Sequence, residues 1–200
     1  DVRSVIDAAT SQPYSHIHRP GIAVGGHCIP VYPRFLLEGD DEARLPAVAR
    51  QVNEAMPAYA ADLLGDVAGR RVLILGVAYR GGVKETAFSG AFALRDALAA
   101  RGAEVVAADP LFDSAELEAL GFTAWDGGPV DAAVVQADHA EYAELSGADV
   151  PGARVIVDGR GVLDPSRFDV PVRRIGRPDD SPVDPGSAIQ PGDLRRAAGR

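Results

Sequence analysis

One short stretch of the sequence, GGHCIPVYP at residues 25–33, contains the residue types that a nucleophilic centre needs. Cys28 is the single cysteine of the chain, and it directly follows Gly26 and His27. Glycines let a ligand approach the backbone closely, and the prolines of the stretch stiffen its far side. A cysteine reacts as the thiolate, which a histidine cation, the N–H groups of a tight loop or a helix N-terminus favours. The residues alone leave two interpretations open: a catalytic thiolate, or a small buried apolar side chain.

A second candidate for chemistry is the turn from Gly76 to Gly81, a degenerate G-x-G-x-x-G pattern that follows an apolar run. Such a turn points backbone N–H groups and a helix N-terminus at phosphate. Ala78 replaces the glycine that admits a pyrophosphate, Arg80 suits a phosphate, and Asp109 follows the next strand, where a ribose-binding acid would lie. The turn is compatible with NAD, with another nucleotide at this edge, or with a glycine that only ends a strand.

Metal and redox chemistry have less support in the sequence. His16, His18, His27 and Cys28 lack the paired spacing on regular elements that zinc ligands show, so we predict no metal site. A redox-sensing thiol is disfavoured because no second cysteine exists to resolve an oxidised Cys28.

The composition limits the class of protein. The chain has 200 residues, enough for one large or two small domains, and its net charge of −9 argues against a nucleic-acid surface. It has no apolar run of about 18 residues and no signal peptide, so we expect no membrane span. A single cysteine suits a reducing compartment, and we expect a cytoplasmic protein. The chain begins with Asp1 inside a helical pattern, so we expect a fragment or a processed piece.

The elements that must hold the cysteine loop are helical. Residues 2–9 have helical spacing, and a loop at 20–33 follows. A long helix is predicted over 42–67, begun by Asp40 and Asp41 and kinked at Pro57. Its apolar stripe comprises Leu45, Val48, Val52, Met56, Tyr59 and Leu63. A stripe of this length usually packs on another helix, from the same chain or from a partner subunit.

The rest of the chain alternates apolar runs with helical segments, which predicts an α/β fold with a doubly wound, Rossmann-like parallel sheet. The predicted strands are 70–78, 103–110, 130–137, 153–160 and 170–176, and the predicted helices are 88–101, 114–121 with Ser114 as its cap, and 139–145. We therefore divide the chain into a helical segment at 1–66, a Rossmann-like domain at 67–176 and a disordered tail at 177–200.

Several stretches together resemble the UDP-glucose/GDP-mannose dehydrogenase family. Residues 21–33 are similar to its cysteine motif G-x-G-x-G-G-x-C-x-P-x-D, and the form GGHCIPV is nearest the branch that oxidises UDP-N-acetylmannosamine. Residues 53–57 (NEAMP) resemble the N-x-x-x-P of its long helix. Residues 72–94 resemble the start of its UDP-binding domain, and residues 130–142 and 155–165 resemble later strands. The resemblance covers about residues 1–176.

The resemblance implies an NAD-dependent oxidation of C6 of a UDP-sugar from alcohol to carboxylate, in which Cys28 forms a thiohemiacetal and then a thioester. It implies that this chain is the end of a central helical domain plus a UDP-binding domain, without the NAD domain and the catalytic lysine that precede them in the family. The isolated chain should then turn over nothing. The implied site residues are Cys28, His27 and Tyr32 for catalysis, Gly25, Gly26, Tyr79 and Arg80 for substrate, and Ile29, Pro30, Glu85 and Ala87 for cofactor.

Three positions depart from the family pattern. Ala23 replaces a loop glycine, Tyr32 stands where the family has an aspartate, and Ala87 stands where it has an NAD-contacting arginine. A phenol is a poor general base at neutral pH, because its ordinary pKa is about 10. These departures keep an alternative open: a catalytically inactive module that binds UDP-sugars and dimerises. In either case the expected partners are a UDP-sugar and a second copy of the chain, joined through the helix at 41–66.

Overall fold

The computed structural model describes residues 1–40 and 42–177. The helices are α1 (Val2–Ala9), α2 (Tyr32–Gly39), α3 (Arg44–Asp62), α4 (Gly90–Ala100) and α5 (Ser114–Ala119). The strands are β1 (Arg71–Leu75), β2 (Glu104–Ala108), β3 (Thr123–Ala124), β4 (Ala132–Val135), β5 (Val155–Asp158) and β6 (Val172–Arg174). Short 3₁₀ turns lie at Ala140–Glu144, Gly147–Asp149 and Pro165–Arg167.

The six strands form one sheet in the order β3-β2-β1-β4-β5-β6, and every neighbouring pair is parallel. The prediction of a Rossmann-like α/β fold is confirmed. Val72, Leu73 and Ile74 of the central strand are fully buried, which explains why this strand reads as a continuous apolar run. The chain order reverses between β1 and β4. In open parallel sheets, the crevice outside the carboxyl ends of the strands at such a switch point is where ligands bind.

The helical segment and the sheet share one hydrophobic core. Ile22 from the cysteine loop and Ala60, Ala61 and Leu64 from the end of α3 pack in the same cluster as the strand residue Ile74. The cysteine loop is therefore part of the sheet's core and does not hang from it.

The predicted long helix is shorter than expected, and only part of its apolar stripe is packed. Met56, Tyr59 and Leu63 pack against the core of the sheet domain, whereas Leu45 and Val52 are exposed. Pro57 lies inside α3, and the helix continues through it to Asp62. The prediction that Asp40 caps the start of this helix is wrong. Asp40 accepts from the N–H of Glu42, and the residue at the N-cap is Ala43.

Other local predictions are also wrong. The end of the loop predicted at 20–33 belongs to α2, because Pro33 stands in the first turn, where a missing N–H costs nothing. The helix predicted at 139–145 is a 3₁₀ turn. Helix α5 is capped by Asp113 instead of Ser114, in a capping box with Glu116.

Asp41 and residues 178–200, which make up nearly all of the predicted tail, lie outside the described residues. Within residues 1–40 and 42–177, no helix has both the length and the hydrophobicity needed to cross a bilayer.

Candidate active site

The cysteine segment, defined here as residues 21–30, crosses the carboxyl edge of the sheet. Its anchor is Ile22, which is fully buried. A Cβ added to Gly159, which follows β5, would lie 2.5 Å from Cγ1 of Ile22. Such contact is possible only because residue 159 has no side chain. The side chain of Ile22 thus fills the space beside Gly159 at this edge of the sheet.

The cysteine segment meets the loop after β1 at the predicted substrate residues. A Cβ on Gly25 would lie 2.7 Å from Cβ of Tyr79 and 2.8 Å from the carbonyl oxygen of Phe88. The N–H of Gly26 donates to the carbonyl of Ala87 at 2.7 Å, and the exposed guanidinium of Arg80 lies 5.7 Å from the centre of the Tyr79 ring. Two pairs of neighbouring residues that are far apart in sequence, Gly25-Gly26 and Tyr79-Arg80, are therefore brought together through Tyr79.

Cys28 is exposed, so the interpretation as a buried apolar side chain is wrong. Its carbonyl accepts from the N–H groups of Val31 and Tyr32, and this tight turn leads into α2. The ring of Tyr32 is exposed and lies 6.0 Å from the ring of Phe35. The thiol is thus held by a turn at the surface of the molecule, two positions after the predicted substrate residue Gly26.

His27 and Glu85, a predicted catalytic and a predicted cofactor residue, form a pair across the two parts of the chain. Nε2 of His27 lies 3.3 Å from Oε2 of Glu85. The other carboxylate oxygen accepts from the N–H groups of Thr86 and Ala87. Hydrogen bonds from the Ala87 backbone, from His27 and from the Thr86 backbone lower the pKa of Glu85 below its ordinary value. The carboxylate thus stays charged at neutral pH and faces the imidazole next to Cys28.

The turn after β1 does not present its N–H groups to a ligand. The N–H groups of Val77 and Ala78 both donate to Oδ2 of Asp109, at 2.7 and 2.9 Å. The N–H of Gly81 donates to Oδ1 of Asp138 at 2.9 Å. These donors are the ones that a phosphate-binding turn would use. Of the three alternatives that the sequence left open, these contacts disfavour a turn that cradles the pyrophosphate of NAD.

Asp109 is likewise not a ribose-binding acid. Its carboxylate is buried, and its Oδ1 accepts from the N–H of Leu111 while Oδ2 also lies 3.2 Å from Nε2 of His139. Nδ1 of His139 accepts from the N–H of Gly82, which assigns the imidazole proton to Nε2. Burial raises the pKa of Asp109, but the hydrogen bonds from His139 and from the backbone outweigh it and lower the pKa below its ordinary value.

Asp138, His139 and Arg160 are structural members of the site that the sequence analysis missed. Arg160 packs against Gly21 of the cysteine segment and pairs with Asp138 at 3.0 Å. All three lie in the loops that follow the parallel strands β4 and β5, and polar residues in such loops collect at the carboxyl edge of a sheet. That signal was available in the sequence, since β4 and β5 were both predicted.

An apolar cavity of 880 Å³ lies between the cysteine segment, α3 and the start of α4. Ile29 and Pro30, two of the predicted cofactor residues, line it. Phe88 also lines it and has a φ of 50°, an unusual conformation for a bulky residue. Across the described part of the chain, no group of three His, Cys, Asp or Glu side chains is arranged to hold a metal ion.

We expect Gly81→Ala to destabilise the protein by about 1–3 kcal/mol, because overpacking at a rigid contact costs this much. The new Cβ would lie 1.9 Å from the carbonyl oxygen of Asp138 and 2.6 Å from the N–H nitrogen of His139, so backbone must move. Urea denaturation measures the loss. Gly39→Ala is the control, since nothing lies within 4 Å of its Cβ position. Equal urea midpoints for Gly81→Ala and wild type would contradict the close contact.

Comparison with known proteins matches both parts of the chain. The sequence model of the UDP-glucose/GDP-mannose dehydrogenase family, central domain, matches residues 1–56, and that of its UDP-binding domain matches residues 73–165. The UDP-N-acetyl-D-mannosamine dehydrogenase of Pyrococcus horikoshii is 32% identical over 195 residues, which cover 90% of this chain and 45% of that protein.

Solved structures of members of this family have the same fold as this chain. The structure of UDP-D-ManNAc dehydrogenase from Pyrococcus horikoshii superposes with a TM-score of 0.72 at 32% identity, over 88% of this chain and 44% of that one. A UDP-glucose dehydrogenase from Pyrobaculum islandicum superposes with a TM-score of 0.75 at 25% identity, over 86% of this chain and 43% of that one.

The chain belongs to the UDP-glucose/GDP-mannose dehydrogenase family. The relatives that it resembles include UDP-N-acetyl-D-mannosamine dehydrogenases. The chain spans 45% of the length of the Pyrococcus horikoshii relative.

Proposed function

We propose that this chain provides the nucleophile and the UDP-sugar site of an NAD-dependent UDP-sugar 6-dehydrogenase. The observation that carries the proposal is the junction of the cysteine segment with the loop after β1. There Gly25 and Gly26 pack against Tyr79, and the exposed Cys28 follows Gly26 by two positions. An exposed thiol close in sequence to a segment that packs on an aromatic and cationic loop suits covalent attack on a nucleotide-linked aldehyde.

The chemistry that we assign to Cys28 is covalent catalysis at the aldehyde stage. The thiolate sulfur adds to C6, the carbonyl becomes an oxyanion, and a proton completes the thiohemiacetal. Loss of the C6 hydride, which NAD would accept, and of the hydroxyl proton, which passes to water or His27, gives the thioester. Water then adds to the thioester carbon, the C–S bond breaks, the carboxylate forms and the thiol is restored. His27, held by Glu85, is positioned next to the thiol to exchange protons with it or with water.

The residues fit NAD only in part. The turn after β1 does not fit a pyrophosphate, because its N–H groups are bound by Asp109 and Asp138. The apolar cavity lined by Ile29 and Pro30 would suit a flat ring, and we propose that these two residues would hold the nicotinamide. Thr86 also lines this cavity, and its chain neighbours Glu85 and Ala87 are the other two predicted cofactor residues. When bound, NAD supplies the hydride acceptor for both oxidations, of the alcohol and of the thiohemiacetal.

The substrate class that we propose is a UDP-linked N-acetylhexosamine, because a UDP-N-acetyl-D-mannosamine dehydrogenase is 32% identical to this chain. UDP-glucose is the second candidate. The product would be a UDP-linked uronic acid, a building block of polysaccharides. We further propose that residues 1–66 act as part of a central domain, that residues 67–176 bind UDP, and that the exposed side of α3 pairs two copies in the cytoplasm.

Calorimetric titration of the chain with UDP-N-acetylmannosamine tests the binding half of this proposal. Arg80→Ala should weaken binding about tenfold or more, because a hydrogen bond to a charged group contributes about 1.5–3 kcal/mol. Arg154→Ala removes the same charge at the opposite edge of the sheet, where Arg154 is exposed, and should leave binding unchanged. Equal losses in the two variants, or no heat from wild type, would count against the site. The chain alone should form no NADH, which absorbance at 340 nm would register.

A further inference from the structure

Helix α3 holds the backbone of the cysteine segment through one side-chain amide. Oδ1 of Asn53 accepts from the N–H of Val24 at 2.7 Å, and Nδ2 donates to the carbonyl of the same residue at 3.3 Å. This orientation of the amide satisfies both backbone groups of Val24. Asn53 therefore grips one residue of the segment at two points, four positions before Cys28.

The same helix also holds the other flank of Cys28. Nη1 of Arg50 donates to the carbonyl of Pro30 at 3.1 Å, and its Nη2 is paired with Glu54 at 2.6 Å. Arg50 and Glu54 are one helical turn apart, so the ion pair keeps the guanidinium in place. Both ends of the turn that carries the thiol are thus tied to α3.

The opposite side of the segment is tied to the sheet domain by the N–H of Gly26, which donates to Ala87. Because Cys28 is exposed, burial contributes little to its position, and these backbone contacts hold the turn that carries it. Asparagine inside a helix is less favourable than alanine by up to about 0.7 kcal/mol, and Asn53 lies in the middle of α3. Asn53 is therefore explained by its contact with the cysteine segment and not by any stabilisation of α3.

We infer that Asn53, supported by Arg50, is a positioning residue that fixes the Cys28 thiol relative to the bound nucleotide sugar. The inference rests on the proposed function, because it assumes that a UDP-sugar binds beside Tyr79 and Arg80. Asn53 lines the apolar cavity, and both polar atoms of its amide are bound to the backbone of Val24. It acts through Val24, whose backbone sets the direction in which the segment leaves the crevice toward Cys28.

The test uses Cys28 as the single thiol of the full chain. A UDP-hexose that carries a chloroacetamide at C6 should label Cys28 much faster than free 2-chloroacetamide does, and intact mass reports both rates. In Asn53→Ala the rate with the tethered reagent should fall about tenfold or more, since misplacement by about 1 Å can cost a hundredfold. The rate with free 2-chloroacetamide should stay as in wild type, because Cys28 is already exposed. General unfolding would instead change both labelling rates.

The control is Gln51→Ala, an exposed position on the same helix, which should leave both rates unchanged. Arg50→Ala releases the other flank and should also lower the tethered rate selectively, which keeps the inference testable if Asn53→Ala folds poorly. Tethered labelling that stays fast in both variants would overturn the positioning role alone. No acceleration by the tether in wild type would overturn the proposed function and, with it, this inference.

Discussion

Replacement of Asp109 by alanine is expected to lower the free energy of unfolding by about 3–5 kcal/mol, the cost of removing one partner from a buried charged network. The carboxylate accepts from the N–H groups of Val77, Ala78 and Leu111 and from His139. All of these donors would lose their acceptor in the interior, where an unsatisfied polar group is costly. Urea denaturation, followed by circular dichroism, gives the free energy.

The matched control for this variant is Asp96→Ala. Asp96 lies on α4, its side chain is exposed, and its partner is the neighbouring Arg95. Surface ion pairs contribute at most about 1 kcal/mol, so the control should be nearly neutral. If the two variants lose the same free energy, Asp109 is not the centre of a buried network.

The cost of losing Asp109 should depend on pH in one direction. Its pKa in the folded protein lies below the ordinary value of 3.8. The ionised carboxylate therefore stabilises the fold fully at pH values above that ordinary pKa, and this stabilisation is lost as the pH falls through the ordinary pKa toward the folded one. The difference between wild type and Asp109→Ala should thus shrink in acid below about pH 4.

Replacement of Cys28 by serine is expected to lower formation of the uronic acid by about a thousandfold or more, since removal of a covalent nucleophile has effects of this size or larger. The reaction would be measured in a dehydrogenase assembled from this chain and an NAD-binding half. A serine hydroxyl is a far weaker nucleophile than a thiolate toward the C6 aldehyde. Binding of the UDP-sugar should be unchanged, because Gly25, Gly26, Tyr79 and Arg80 remain in place.

The result for Cys28→Ser separates the two functions that the sequence leaves open. Uronic acid formation that collapses while UDP-sugar binding persists supports the enzyme. Activity equal to that of the parent protein would mean that Cys28 is not the nucleophile. An assembled parent protein that binds UDP-sugar but oxidises nothing would support the alternative, an inactive module for binding and dimerisation.

The parallel sheet could be predicted from the sequence because its strands are buried on both faces. Burial on both sides removes polar residues and leaves runs such as VLIL at 72–75, which differ clearly from the helical spacing around them. Strand β3 was missed because it has only two residues, Thr123 and Ala124, and its first is exposed. The turn at Ala140–Glu144 was misjudged because 3₁₀ and α-helical turns favour similar residues.

The fate of the turn after β1 could not be predicted, because it depends on contacts between distant residues. The turn has the glycine spacing of a phosphate loop, yet Gly81 is bound by Asp138, which lies 57 positions further along the chain. A glycine motif predicts which backbone conformations are possible. Side chains from other parts of the chain determine whether its N–H groups remain available to a ligand. The sequence motif singled out the cysteine segment, but the contact of Asn53 with Val24 spans 29 positions and no local pattern predicts it.

Burial of Ile22 under the sheet also determines which motions this chain allows. A hinge motion that separates the helical segment from the sheet domain would remove Ile22 from the core. Exposing a side chain of this size costs about 1.5–3 kcal/mol, even before any backbone hydrogen bond is broken. Separating the cysteine segment from the loop after β1 would in addition break the hydrogen bond from Gly26 to Ala87. Such a hinge motion therefore costs both apolar burial and backbone hydrogen bonding, whereas the exposed side chains of Arg80 and Phe88 can move without either cost.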